Sequence, residues 1–126
     1  MIDVIDSIIQ TIKTVEDLEG RVYRRWPKVK GGVAMPACLV SHISRQPVLT
    51  DANGSEIRVR CTYSIDINTK TQNDADSIAE DVIDALAGYN FHTTGYTDIY
   101  DEVLGVYRVI MTVSGTVDKR GNTFTQ

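Results

Sequence analysis

The side chains that chemistry would draw on first in this 126-residue chain are two histidines, two cysteines and two clusters of like charge. His42 and His92 are far apart in sequence, and neither stands in metal-ligand spacing with a cysteine or carboxylate. The glycine pairs form neither a phosphate-binding loop nor a dinucleotide fingerprint. No catalytic constellation emerges: the chain reads as not an enzyme, with no cofactor and no metal. The cysteines read as buried thiols. With a hairpin turn at residues 47–57, Cys38 falls opposite a residue near Ile67, about six strand positions or roughly 20 Å from Cys61, beyond disulfide reach.

The charge clusters carry more. Asp76, Glu80 and Asp84 recur at i, i+4 and i+8 on one helix face, with Asp74 and Asp81 beside them and no base among them. Such a face repels itself by about 0.2–0.5 kcal/mol per pair, and a cationic partner would relieve it. A solvated surface or a weak cation site are the other readings of the same spacing. The second cluster is Arg21, Arg24, Arg25, Lys28 and Lys30, with Trp26 among them and no acid. Arginine and tryptophan dominate protein contact surfaces, and this cluster runs into a glycine-bearing loop. The alternative is a solvated strand end with Trp26 folded back over a helix. One aromatic and no repeated basic stripe argue against nucleic-acid readout.

The elements that must position these residues follow from periodicity. Ile57, Val59, Cys61, Tyr63, Ile65 and Ile67 alternate with polar residues, a long strand with one apolar face. Ala75, Ile78, Ala79, Val82, Ile83 and Leu86 then recur at helical spacing, predicting a helix over ~74–87 with Asn73 as N-cap and Gly88 closing its end. Ile2, Ile5, Ile9 and Ile12, with Ile8, Val15 and Leu18, predict a helix over ~3–18 that ends at Gly20. Arg21 to Trp26 is a short strand stopped by Pro27. Ala37 to Val48 is a strand whose apolar residues keep no single parity, as a bulge would cause. Asp51-Ala52-Asn53-Gly54-Ser55 is the clearest turn, so residues ~38–67 form one antiparallel hairpin. Residues ~91–100 and ~106–117 supply two more strands, with a turn at 101–105, and residues 118–126 are expected to be a flexible tail. The fold class is α+β: a mostly antiparallel sheet of four to five strands with two helices packed on one face, in a single domain spanning 1–126. No apolar run approaches membrane-spanning length and no signal peptide is visible, so no membrane contact is expected. A net charge of −4 gives no reason to expect general DNA binding.

Taken in order, these elements resemble the small tail-terminator (tail-completion) proteins of long-tailed bacteriophages. The likeness lies in the N-terminal helix ending at Gly20, then Arg21-Val22-Tyr23, then the proline-flanked loop into Pro36-Ala37-Cys38-Leu39-Val40. It continues through the hairpin, Tyr63-Ser64-Ile65-Asp66-Ile67, the helix at Ala75 to Leu86, and the late strand Tyr107 to Val113. The resemblance implies a virion structural protein at the tail-neck junction, assembled in the host cytoplasm. It implies a self-associated ring, usually a hexamer, that sits on the tail tube protein, ends tube polymerisation and presents a surface to the head connector. DNA would pass through its lumen without sequence-specific binding. Arg21, Arg24, Arg25, Trp26, Lys28 and Lys30, with Asp76, Glu80, Asp81 and Asp84, are then the candidate interface residues. A head-tail adaptor or other neck component is the nearest alternative. A small-molecule-binding or enzymatic α+β dimer is the alternative of another class. That last reading expects a concave apolar pocket holding perturbed titratable groups, and the ring reading expects no such pocket.

Overall fold

The computed structural model describes residues 2–54 and 56–124. The chain runs α1 (Ile5–Ile12), a 3-10 turn (Glu16–Leu18), β1 (Val22–Tyr23), β2 (Ala37–Thr50), β3 (Glu56–Thr69), α2 (Gln72–Ala87), β4 (His92–Asp101), β5 (Val106–Asp118) and β6 (Thr123–Phe124). The strands form one curled, mostly antiparallel sheet in the order β1-β2-β3-β5-β4, with β6 added to β5. Among the described residues only β1 and β2 pair in parallel.

The alternation in β3 decides the layering. Val59, Cys61, Tyr63, Ile65 and Ile67 are buried under the helices, with Val109, Met111, Val113 and Val117 of β5 beside them. The helices supply Ile5, Ile8, Ile9 and Ile12 from α1, and Ala75, Ile78, Ala79, Val82 and Leu86 from α2. All of these belong to one apolar cluster, so both helices lie on one face of the sheet. α1 packs over β1 and β2, and α2 over β3, β5 and β4. The opposite face is polar, with Thr62 and Ser114 sharing a hydroxyl–hydroxyl bond of 2.8 Å and Arg108 paired to Asp66 at 2.7 Å.

Register agrees with the hairpin reading: Cys38 stands opposite Ile67, and both cysteines are buried thiols. The unsettled parity of β2 has its cause in register shifts between His42 and Ser44 and again between Pro47 and Thr50. Ile43 and Val48 fall at these shifts and are exposed. Past the first shift Arg45 stands opposite Cys61 on the helix face, and its guanidinium donates to the Ile2 carbonyl.

Three boundaries differ from the sequence reading. The first helix stops at Lys13 rather than running to residue 18. The Thr14 hydroxyl takes the Thr11 carbonyl at 2.6 Å, and Val15 is extended. Hydroxyls that compete for helix carbonyls end a helix of β-branched residues early. Val15 and Leu18 are still buried, carried inward by the 3-10 turn. The N-cap of α2 is Thr71, not Asn73: its side chain accepts from the Asp74 N–H at 3.1 Å. Gly88 is the C-cap, as expected, in the right-handed conformation, and the left-handed turn that follows falls on Asn90. Asn90 is left-handed (φ 63°), the Phe91 N–H reaches the Leu86 carbonyl and the Asn90 N–H the Ala87 carbonyl. Finally, residues 118–124 are tied down where a free tail was expected. The Asp118 carboxylate accepts from the Arg120 and Asn122 N–H groups, closing a turn into β6. Phe124 then lies 3.9 Å under the Arg58 guanidinium. Residues 125–126 of that expected tail lie outside the described residues.

Candidate assembly surfaces

The basic cluster divides into residues with different surroundings. Arg21 is structural: its Nε donates to the Pro36 carbonyl at 2.8 Å and its guanidinium pairs with Glu19 at 2.7 Å. It holds the start of β1 against the end of the long loop, which lets Val22 and Tyr23 pair with Cys38 and Leu39. β1 then ends while β2 continues, so the edge of β2 from Val40 onward has no strand beside it among the described residues. Arg24 and Arg25 stand at that point. With Ile5, Val40, Ser41 and His42 they line a hollow of about 580 Å³. Arg24 has only a 3.9 Å contact with Asp6, with both side chains well exposed, so it contributes little to stability. Among the described residues Arg25, Lys28 and Lys30 have no ion-pair partner within 4 Å.

Trp26 turns away from the arginines. Its ring lies 6.1 Å from that of Tyr23, and 38% of the residue is exposed. It lines a second, more apolar hollow of about 670 Å³ with Val33, Met35, Lys70, Leu104 and Val106. The ring reading expects no apolar pocket holding perturbed titratable groups, and this hollow supplies the apolar lining alone. It lies between the glycine-bearing loop 27–36 and the chain at Asn68 to Lys70 and Leu104 to Val106. The perturbed titratable groups that the ligand-binding alternative expected in such a pocket lie elsewhere: among the described residues Lys70 is the one ionisable side chain in its lining.

The acidic cluster sits at the other end of the sheet. Glu80, Asp81 and Asp84 are exposed along α2, and Asp76 is half-buried. Asp76 accepts from Gln72 Nε2 at 3.2 Å and from the Tyr96 hydroxyl at 3.5 Å. That bond to β4 brings Tyr96 and Asp98 into the acidic face, two residues that helical spacing alone does not reveal. Burial, then Asp98, Asp76 and Glu80, push the Tyr96 phenol above its usual range. Only the alternation of residues ~91–100 pointed toward β4, and the turn-like Gly95 weakened that signal. β4 has one strand neighbour, β5, among the described residues, so its outer edge is open.

No protein-family model matches this chain, and no curated protein sequence matches it. The structure does not bring the basic and acidic clusters together: β1 and β4 are the two ends of the strand order, so Arg24 and Arg25 stand at one edge and Asp76, Glu80 and Asp98 at the other.

The remaining perturbed groups are structural. Tyr63 donates to Asp3 at 2.7 Å and accepts from the Val4 N–H at 3.1 Å, pinning the start of α1 to β3. Burial and the Asp3 carboxylate push its phenol far up. Burial alone would raise the Asp3 carboxyl, but the Tyr63 hydroxyl, the Ile5 N–H, His42 and Arg45 together hold it below 3.8. Burial pushes the Cys38 thiol well above the usual range, with Asp66 adding to it, so this cysteine is no nucleophile. His42 packs edge-on against Tyr63 at 5.4 Å, and no group of three or more His, Cys, Asp or Glu among the described residues is placed to hold a metal.

Proposed function

We propose that this protein is a tail-terminator subunit of a long-tailed bacteriophage, which closes into a ring on the tail tube and stops its growth. One observation carries the reading: opposite charges stand at opposite, open edges of a single sheet. Such a molecule is built for a heterologous contact, in which one patch meets a different patch on the next copy. With a closing rotation that contact makes a ring, whereas a two-fold dimer would place like patches together. The order of helix, short strand, proline-flanked loop, hairpin, helix and paired late strands supports the same reading, because it is the order on which the resemblance rests.

Each exposed ion pair contributes at most about 1 kcal/mol and is screened by salt, so charge orients neighbours without holding them. At physiological salt and low concentration the free protein is therefore monomeric or weakly associated, and the end of the tube gathers copies by raising their local concentration. The test adds the purified protein to polymerising tail tube protein of the same phage and measures tube length. The reading expects growth to stop on addition, and tubes that keep lengthening would refute it.

A second reading draws on the hollow at Trp26, whose apolar lining and volume suit a small ligand. A thermal-melt screen of apolar fragments separates the two. Stabilisation that disappears in Trp26→Ala would favour ligand binding.

A further inference from the structure

The hollow at one edge and the exposed tyrosine at the other are complementary in charge. The hollow has an apolar floor from Ile5 and Val40, two cations in Arg24 and Arg25, and polar groups in Ser41 and His42. The tyrosine is Tyr96, an exposed ring on β4. Its hydroxyl touches Asp76, Glu80 lies one turn further along α2, and Asp98 follows two residues on along the same face of β4. We infer that Tyr96 of one copy seats in the Arg24/Arg25 hollow of the next, with Asp76, Glu80 and Asp98 meeting the two guanidiniums.

The occupant follows from the chemistry. A hollow with an apolar floor and a cationic rim fits a ring edged by carboxylates, and arginine both pairs with carboxylates through its planar fork and stacks on aromatic faces. This chain carries such a group at the far edge of its own sheet. The geometry keeps it from reaching its own hollow, which leaves a second copy. Tyr96 and Asp98 thereby join the candidate interface, while Arg21, already committed to Glu19 and Pro36, leaves it. The inference rests on the ring reading for closure of the contact into a ring; the head-to-tail contact itself does not need it.

Charge reversal in two halves tests it. Arg24→Glu/Arg25→Glu makes both edges acidic, and Glu80→Lys/Asp98→Lys makes both basic. Sedimentation at low salt and up to about millimolar concentration is the readout, the range expected for a contact of a few exposed pairs. The wild type should associate, each variant alone should stay monomeric, and the equimolar mixture should associate again, because every contact in it joins opposite charges. Added salt should dissociate the wild type. A wild type that stays monomeric, a single variant that associates as the wild type does, or a mixture that stays monomeric overturns the contact. Should a charge variant melt well below the wild type, Tyr96→Ala decides. It keeps the charges and should weaken association at least tenfold, and unchanged association overturns the contact. Tube capping is scored separately. Variants that cap normally, or that self-associate normally but lose the tube protein, overturn the contact and leave the cap. A wild type that self-associates but never caps removes the cap and leaves the contact.

Discussion

Replacing Tyr63 with Phe removes one oxygen and keeps the ring, so its cost isolates how the first helix is held. The Tyr63 hydroxyl bonds Asp3 at 2.7 Å and the Val4 N–H at 3.1 Å, and Val4 is buried. The stranded Val4 N–H costs about 1–3 kcal/mol, because it stays out of water without a partner. The Asp3 carboxylate is exposed enough to recover water, which limits its share to about 1 kcal/mol or less. The expected loss is about 2–3 kcal/mol, a fall in melting temperature of roughly 6–12 °C for a domain of this size. The pH dependence gives a second check. Asp3 is held below 3.8, so the folded state binds its proton less readily than the unfolded chain does. That contribution is present above pH 3.8 and is lost as pH falls through the lower folded value. Without the hydroxyl the Asp3 value moves back toward 3.8, and Tyr63→Phe should lose less stability than the wild type between about pH 5 and 3. Urea titrations of both proteins at pH 7 and across that range read out both effects. A loss below about 0.5 kcal/mol at pH 7 with an unchanged acid profile would refute the pinning role of Tyr63.

Other consequences follow from the packing. A Cβ at Gly115 would stand 2.8 Å from the ring of Phe91, itself buried against Tyr63 and Tyr89. Gly115→Ala should therefore cost about 1–3 kcal/mol in urea unfolding, and adding Phe91→Leu should recover part of it. Val82 is fully buried, so Val82→Asp should leave the chain without a cooperative melt. Arg108 bridges Asp66 at 2.7 Å and Asp101 at 3.6 Å across three strands; Arg108→Ala should lower stability by about 1–2 kcal/mol, measured by denaturant midpoint. Amides of the loops 27–36 and 51–54 should exchange fast in the free protein and slow once copies assemble on a tube, as read by hydrogen exchange.

The sheet was legible in the chain because its signals are local and redundant. Six alternating apolar positions in β3 and the Asp51-to-Gly54 turn fix the hairpin register, and Cys38 opposite Ile67 follows from counting. The turn itself rests on the Asp51 carboxylate accepting from the Asn53 N–H at 2.9 Å. Helix ends were less legible, since they depend on which of several polar groups wins a backbone partner. Thr71 outcompetes Asn73 for the cap, and Thr14 takes a carbonyl that the helix needed. The strand β6 depends on the Asp118 side chain closing its turn, and a polar segment gives no apolar pattern to announce it. Of the candidate interface, the two charge clusters were visible as runs. Their placement at opposite edges was not, because it depends on the strand order. Tyr96 and Asp98 were hidden for the same reason: Tyr96 meets Asp76 across a helix–strand contact 20 residues apart in sequence, and Asp98 follows it along β4.

A tail tube capped by this protein carries its copies at the tip, where electron microscopy can see them. Class averages of tail tubes polymerised with this protein should show a closed ring of its copies at one tip, joined head-to-tail with β4 of each beside the β2 edge of the next. Tips bare of the protein, copies scattered along the tube wall, or copies paired two-fold through like edges would contradict the account.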